Sequence, residues 1–375
     1  MHSPLRLVAF VLAGAALALP APAWTQAQSL DAQIEPVRVK YGLPALAAAV
    51  VKKGEIVAAG AVGVRVYGTN IGVTIDDRFH LGSDTKAMTA TLAGIFVDGG
   101  KLRWTSTIGE VLGADVPGMN QKLATVTLEQ LLSHSSGIPS DTKDMAAAYF
   151  NTDAFDYNLA ALRLRALAAW RHNEPKEPQG SPFQYANFGY IIAGAMIEKA
   201  AGVPWEQLIV EKIFAPLGLR TAGLGAQATP GKLDAPVGHQ IDEQGKITPM
   251  LWGAAADAPP MLGPAGTAHM SILDFARWAG WNSGQGRRRP GHRHLPDAQT
   301  HPCAARQDAA HREPQTRHAA DRRIRVRLGR GEIRLDGKAG AQPQRLEFLE
   351  FGEDFGRRRQ RSWHRGHDQF SRAEG

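Results

Sequence analysis

Two short motifs in the chain combine residue types that could activate a serine hydroxyl. Ser83 and Lys86 stand three positions apart, so on a helix their side chains share one face. A serine hydroxyl is a weak nucleophile at neutral pH and needs an adjacent base. A lysine amine can be that base when burial or neighbouring charge lowers its pKa. The spacing therefore predicts Ser83 as a nucleophile and Lys86 as its base, with the Ser83 backbone N–H as one oxyanion donor.

The second motif, Tyr185-Ala186-Asn187, supplies a phenol and an amide. A tyrosine hydroxyl near a lysine ammonium can have a lowered pKa and shuttle a proton. An asparagine amide can donate to a substrate carbonyl and accept from the lysine. We therefore predict Tyr185 as a catalytic residue and Asn187 as a substrate-binding residue. A core aromatic at a helix start is the alternative interpretation of Tyr185.

Each motif has a second copy, and the flanking residues distinguish the copies. Residues 140–143 repeat the letters Ser-Asp-Thr-Lys, and residues 149–151 repeat the pattern Tyr-x-Asn. Ser83 follows an extended apolar segment and opens a long amphipathic pattern. Ser140 instead follows a loop, which favours an ordinary N-cap serine. Tyr185 lies where a loop passes into a helix.

The surrounding elements indicate an α/β fold. Apolar runs at 45–51 and 56–66 flank Lys53-Gly54 and predict a β-hairpin. Apolar residues at helical spacing predict five helices, which begin near 83, 127, 187, 205 and 271 and end near 98, 133, 201, 213 and 278. Strands at the start and helices after them predict a sandwich of a sheet and helices with a separate helical region.

The N-terminus has the three-part layout of a secretory signal peptide. Arg6 precedes an apolar run over residues 7–19, and small-residue cleavage sites follow it. This run is too short to span a bilayer comfortably, although a membrane anchor or a buried helix remains the alternative. We predict residues 1–27 as a signal peptide, a periplasmic or secreted location, and no membrane span after cleavage.

Residues 287–375 differ in composition from the rest of the chain. They contain 20 Arg and one Lys against 12 Asp and Glu, whereas residues 1–286 carry 22 Lys and Arg against 24 Asp and Glu. The formal net charge of +7 is thus a property of this tail. We predict an Arg-rich tail of low order, and the mixture of residue types favours translation of a GC-rich gene out of frame. A nucleic-acid-binding tail would use Lys as well as Arg, so no nucleic-acid partner is expected.

In their order and spacing, these segments resemble the serine β-lactamase-like superfamily, in the branch of class C β-lactamases, penicillin-binding proteins, D-alanyl-D-alanine peptidases and related esterases. The resemblance covers about residues 30–286 and includes the two motifs, the loop at 131–139 and the glycine turn at 263–268. It implies an antiparallel sheet of five or more strands flanked by helices, and no metal or other cofactor. It also implies a small-molecule or peptidoglycan-like substrate and a structural role for His134.

The resemblance also implies a third motif, Lys-Thr-Gly or His-x-Gly, on a core strand after residue 286. Residues 338–340 and 364–366 are the near matches, and neither follows an apolar strand. We therefore predict an incomplete serine hydrolase domain at 28–286, truncated at its C-terminal strands. The predicted function is hydrolysis of a β-lactam, a D-Ala-D-Ala peptide or an ester through an acyl-enzyme. A catalytically dead or binding-only fragment is the alternative.

Overall fold

A computed structural model describes residues 27–139, 158–176, 183–251 and 257–283, the single residues 142, 145, 149 and 180, and the backbone of 324–328 and 331–335. The α-helices among them are α1 (Asp31–Lys40), α2 (Thr85–Asp98), α3 (Ile108–Leu112), α4 (Gln121–Ala124), α5 (Leu128–Leu132), α6 (Leu159–Trp170), α7 (Asn187–Ala201), α8 (Trp205–Ile209), α9 (Ala215–Leu217), α10 (Gly263–Gly266) and α11 (Ile272–Asn282).

The strands form several small sheets. They are β1 (Gln28–Ser29), β2 (Ala45–Lys52), β3 (Glu55–Gly63), β4 (Arg78–His80), β5 (Gly223–Leu224), β6 (Gly238–Ile241), β7 (Ile247–Met250), β8 (Ala268–Ser271), β9 (Ile324–Leu328) and β10 (Gly331–Leu335). One sheet has the order β1-β3-β2 and a second the order β4-β8-β5, while β6-β7 and β9-β10 are separate antiparallel pairs.

This arrangement differs from the single antiparallel sheet that we predicted. The α/β class is confirmed, but the described strands do not form one sheet of five or more. In addition, β1 pairs with β3 in parallel. Parallel pairing requires a crossover connection, and here α1 and β2 lie between the two paired strands. The predicted hairpin is confirmed: β2 and β3 pair antiparallel across a turn in which Lys53 and Gly54 both have positive φ.

The predicted helices are present, with three differences at their ends. Ser83 lies on a short 3-10 turn (Gly82–Asp84) that precedes α2, rather than on the α-helix itself. The helix predicted to stop near residue 213 continues to Leu217: a π-helical segment (Val210–Phe214) follows α8 and leads into α9, which has Pro216 in its first turn. Helix α11 extends to Asn282, beyond the predicted end.

Helix α7 forms the centre of the core. Every residue from Phe188 to Glu198 is buried, as expected for a helix that is covered on all sides. It packs against α2, α3, α5 and α6, and Gly202 ends it in the left-handed conformation. Its first residue, Asn187, therefore lies close to the beginning of α2.

A buried ion cluster ties α6 to this core. Arg163 is fully buried and pairs with Glu198 of α7 and Glu206 of α8. Its Nε donates to the Met261 carbonyl at 3.2 Å. Burial raises the pKa of Glu198, although the charge of Arg163 opposes that shift. Removing one partner of such a cluster leaves an uncompensated buried charge, so these helices and the segment before α10 are held together.

The Arg-rich region contains one feature that the sequence analysis did not predict. Strands β9 and β10 pair antiparallel, with Ile324 opposite Leu335 and Leu328 opposite Gly331. The sequence of β9 alternates apolar residues with arginine, which is the strand period. Residues 1–26 of the predicted signal peptide at 1–27 and the remainder of the tail lie outside the described residues, so the signal peptide, the frame interpretation and the boundary at 286 stay predictions. No helix in the described ranges has the length and apolar character needed to cross a membrane.

Candidate active site

Ser83 is held by a turn that links β4 to α2. Gly82 has φ +52°, a conformation that glycine adopts without steric cost. Its carbonyl accepts a hydrogen bond from Thr85 Oγ1 at 2.7 Å, and Thr85 Oγ1 accepts one from Ala268 N at 3.1 Å. Thr85 is fully buried. These contacts fix the serine turn against β8.

The structure brings all four predicted site residues together. Lys86 Nζ lies 3.1 Å from Ser83 Oγ and 2.7 Å from Asn187 Oδ1. The Tyr185 hydroxyl lies 2.5 Å from Ser83 Oγ. The first motif spans the 3-10 turn and the first residues of α2, and the second motif ends at the first residue of α7. The close packing of these two helices thus creates the cluster.

A third partner of Lys86 escaped the sequence analysis. The Ala265 carbonyl of α10 accepts a hydrogen bond from Lys86 Nζ at 2.6 Å. A backbone carbonyl carries no residue-type signal, and the only indication in the sequence was the glycine turn around it. The neighbouring Pro264 carbonyl accepts from Thr89 Oγ1 at 2.8 Å. Helix α2 therefore fixes α10 through two successive carbonyls.

The position of α10 depends on a glycine of α7. A Cβ placed on Gly194 would overlap the ring of Pro264. Because α7 presents only a hydrogen here, α10 can lie directly on the helix backbone. This close approach brings the carbonyl of Ala265, which follows Pro264, within reach of Lys86.

The Lys86 side chain is almost completely buried, and its amine lies near two aromatic rings. It is 3% exposed, and its Nζ lies 4.7 Å from the ring centre of Tyr185 and 5.4 Å from that of Tyr190. Two carbonyl oxygens can accept the two N–H bonds of a neutral amine and direct its lone pair toward Ser83. An ammonium could donate to all three oxygens. The site thus accommodates the lysine before and after it takes a proton.

Two titratable neighbours respond to this environment. Burial raises the pKa of Asp84 to about 6, although the charge of Lys86 opposes the rise. Burial, with the charge of Lys86, lowers the pKa of His134 to about 3. His134 is therefore neutral at physiological pH, and Asp84 binds its proton more tightly than an exposed aspartate does.

His134 supports the second motif. Its ring stacks on that of Tyr185 with 4.6 Å between centroids, and its Nδ1 accepts a hydrogen bond from Ala186 N at 3.1 Å. Its carbonyl accepts from Gln184 N at 2.7 Å. These contacts hold the backbone on both sides of Tyr185, which agrees with the structural role that the resemblance implied.

Only a small part of the second copies of the motifs lies within the described residues. Tyr149 is buried, and its ring centre lies 6.4 Å from that of Phe188 in the core. Ser140, Lys143 and Asn151 lie outside the described residues, as do both near matches to the third motif. Within the ranges that the structure describes, no three His, Cys, Asp or Glu side chains are grouped so that they could share a metal ion.

Comparison with known proteins gives the context of this cluster. Residues 30–330 match the sequence profile of the family described as Beta-lactamase, so the match extends past residue 286. The chain is 32% identical over 187 residues to "Penicillin-binding protein 4" of Amycolatopsis lactamdurans, covering 50% of this chain and 46% of that protein. It is 28% identical over 219 residues to "Unguisins hydrolase ungD'" of Aspergillus campestris, covering 56% of this chain and 39% of that one. The chain thus spans less than half the length of these two relatives.

Solved structures agree with the sequence comparison. The fold is similar to that of the D-alanine carboxypeptidase AmpC from Burkholderia cenocepacia, with a TM-score of 0.52 and 26% identity. This similarity covers 69% of the present chain and 64% of that structure. The family match includes the serine turn, both motifs and the glycine turn at α10, and covers most of the chain. The chain therefore belongs to the Beta-lactamase family of serine hydrolases.

Proposed function

We propose that this chain is an acyl-transfer hydrolase that forms an acyl-enzyme on Ser83 and acts on a β-lactam, a D-Ala-D-Ala peptide or an ester. One observation carries the proposal: an amine and a phenol both lie within hydrogen-bond distance of the same serine hydroxyl. A nucleophile with a base at this distance is the arrangement that covalent catalysis requires.

The proposed first half of the reaction uses all of these groups. Ser83 Oγ attacks the substrate carbonyl carbon, and its proton passes to Lys86 Nζ. The bond from that carbon to the leaving nitrogen or oxygen then breaks. Tyr185 donates its hydroxyl proton to the leaving atom and is reprotonated from Lys86, so the lysine returns to its neutral form. In the second half, water attacks the acyl carbon, the same pair takes its proton, and Ser83 Oγ leaves with a proton.

Asn187 has an orienting role in this proposal. Its Oδ1 accepts from Lys86 at 2.7 Å, which fixes the orientation of the amide group. We assign its NH₂ to donate to the substrate carbonyl or amide. At the other end of the site, the Ser83 backbone N–H supplies one donor for the oxyanion at the start of α2.

The relatives support amide and β-lactam chemistry for the substrate. Their names describe a penicillin-binding protein, a D-alanine carboxypeptidase and an unguisins hydrolase. We propose that the present chain takes substrates of the same broad kind, namely small acyl compounds and peptides that carry a reactive carbonyl.

Intact-mass analysis of the full-length chain tests the proposal. The chain would be incubated separately with benzylpenicillin, a peptide ending in D-Ala-D-Ala, a nitrophenyl ester and a fluorophosphonate. We expect a covalent adduct with at least one probe, located by peptide mapping on Ser83. Ser83→Ala should abolish the adduct, and the matched Ser140→Ala should retain it.

The result also decides between the two predicted functions. An adduct followed by release of product supports hydrolysis. Tight, saturable probe binding without an adduct would support the binding-only fragment, and an adduct that survives in Ser83→Ala would overturn the assignment of the nucleophile.

We also propose that the chain is exported and that its first 27 residues are removed. The charged start, the apolar run and the small residues near positions 21–27 support this proposal. Fractionation of expressing cells should find a shortened chain in the periplasm or medium. A full-length chain confined to the cytoplasm would contradict it.

A further inference from the structure

A histidine just before the nucleophile contacts the turn that carries Ser83. His80 is the last residue of β4, and its Nδ1 accepts a hydrogen bond from the Gly82 backbone N–H at 3.0 Å. A ring nitrogen that accepts a hydrogen bond carries no proton. The hydrogen-bond pattern therefore assigns the proton of the neutral imidazole to Nε2.

The other ring nitrogen faces a carboxylate. His80 Nε2 lies 2.7 Å from Asp257 Oδ1, and the two side chains are 25% and 15% exposed. The N–H does not point along this line, so the contact is an electrostatic attraction rather than a straight hydrogen bond. A carboxylate on this side favours the tautomer with its proton on Nε2 and orients the ring.

Within the part of the chain that the structure describes, His269 and Arg78 are the other charged or titratable groups on the strands that carry and face His80. His269 is the cross-strand partner of His80 in β8, and its Nδ1 contacts the Gly225 carbonyl at 3.0 Å. Burial lowers the pKa of His269, with Arg78 and His80 adding to the effect. Arg78 pairs with Asp234 at 2.9 Å. Asp257 thus provides the negative charge that faces His80 directly.

We propose that His80 is a positioning residue for Ser83: its neutral ring, oriented by Asp257, holds the N–H of Gly82 and so keeps the serine turn in its left-handed conformation. The inference rests on the proposed role of Ser83. The contact requires an Nδ1 without a proton, because a proton there would place two hydrogen-bond donors against each other.

Two near-isosteric variants separate the functions of the two nitrogens. In His80→Asn, the amide oxygen can replace Nδ1 as the acceptor for Gly82. In His80→Gln, the amide nitrogen can replace Nε2 beside Asp257 but leaves Gly82 without its acceptor. At about pH 8 we expect His80→Asn to acylate within about threefold of wild type, and His80→Gln to acylate about tenfold to a hundredfold more slowly, since small displacements of reacting groups have effects of that size.

Rescue by the variant that restores the acceptor for Gly82 provides a readout that simple destabilisation would not change. Both variants remove the imidazole, but His80→Asn should recover the acylation rate that His80→Gln loses. Circular dichroism would establish that both variants remain folded. Wild-type rates in His80→Gln, or rates in His80→Asn as low as those of His80→Gln, would overturn the proposal.

A measurement without any substrate separates this inference from the proposed function. In the full-length chain labelled with ¹⁵N-histidine, the His80 signals are identified by their loss in His80→Asn. We expect the tautomer with its proton on Nε2 at about pH 8. A proton on Nδ1 at that pH would overturn the inference. A wild-type chain that shows the expected tautomer but forms no acyl-enzyme would instead count against the proposed function.

Discussion

The chain contains the letters Ser-Asp-Thr-Lys twice, at 83–86 and at 140–143, and the two regions differ in what surrounds them. In the first region, Thr85 is fully buried. Its hydroxyl contacts Gly82 in the same turn and Ala268, which lies 183 positions away in the sequence. In the second, Thr142 accepts one hydrogen bond from Met145 N, three residues away. At 83–86, long-range contacts fix the turn of this tetrapeptide against a second helix and a sheet, and we expect the two copies to differ in function for that reason.

The largest difference between the two copies should come from their lysines. Lys86→Met removes the base and its contacts with three oxygens, whereas Lys143→Met changes the corresponding letter of the second copy. We expect Lys86→Met to lower kcat/KM for a probe that acylates Ser83 by about 10²- to 10⁴-fold. Lys143→Met should stay within about threefold of wild type.

Steady-state kinetics with matched protein concentrations would measure both lysine variants. Equal losses in the two would show that the second copy also contributes to catalysis and would contradict the comparison. Full activity in Lys86→Met would remove the lysine from the mechanism.

The threonines should differ in their effect on stability. Thr85→Ala leaves the buried backbone N–H of Ala268 without the hydroxyl that accepts from it and removes the donor to the Gly82 carbonyl, which costs about 1–3 kcal/mol of unfolding free energy. Among the described residues, Thr142→Ala removes the local hydrogen bond with Met145 N and should cost about 0.5–1 kcal/mol. Denaturant titration of both variants tests this order, and a Thr142→Ala variant at least as destabilised as Thr85→Ala would contradict it.

The smallest expected difference between the two copies is the effect of their aspartates, Asp84 and Asp141, on the pH dependence of stability. The folded-state pKa of Asp84, about 6, is above its ordinary value of 3.8. The folded chain therefore binds more protons than the unfolded chain between these values, and stability falls as pH rises through about 4 to 6. Asp84→Asn removes this loss, so at about pH 7 its free energy of unfolding should exceed that of wild type by about 1–2 kcal/mol.

The gain of Asp84→Asn should disappear near pH 3.5, where both states of the wild-type carboxyl are protonated. Asp141→Asn makes the same change of net charge in the second copy and is the control. Urea unfolding at several pH values would measure both. An equal gain in Asp141→Asn would assign the effect to net charge rather than to the burial of Asp84.

The same comparison shows how far the sequence could predict the site. Ser83, Lys86, Tyr185 and Asn187 converge as predicted, because side-chain type and helical spacing are local properties. Their supporting contacts are not local. The Ala265 carbonyl reaches Lys86 from 179 positions away, and no residue type identifies a backbone oxygen in advance.

The fold was predictable to a similar extent. The hairpin of β2 and β3 and the helix Asn187–Ala201 follow from periodicity and from the turn and cap residues at their ends. The pairing of β4 with β8 and the parallel position of β1 depend on contacts between distant segments. Short strands of two to four residues carry too little periodic signal to be recognised in a sequence.

The geometry of the proposed proton transfer depends on a residue that takes no part in it. Because the ring of Pro264 lies directly on Gly194, one added methyl group would push α10 away from α7. The Ala265 carbonyl that orients Lys86 would then move away from the amine, although every proposed reacting side chain would be unchanged. The orientation of the Lys86 amine thus depends on the absence of one carbon atom from a side chain in the hydrophobic interior.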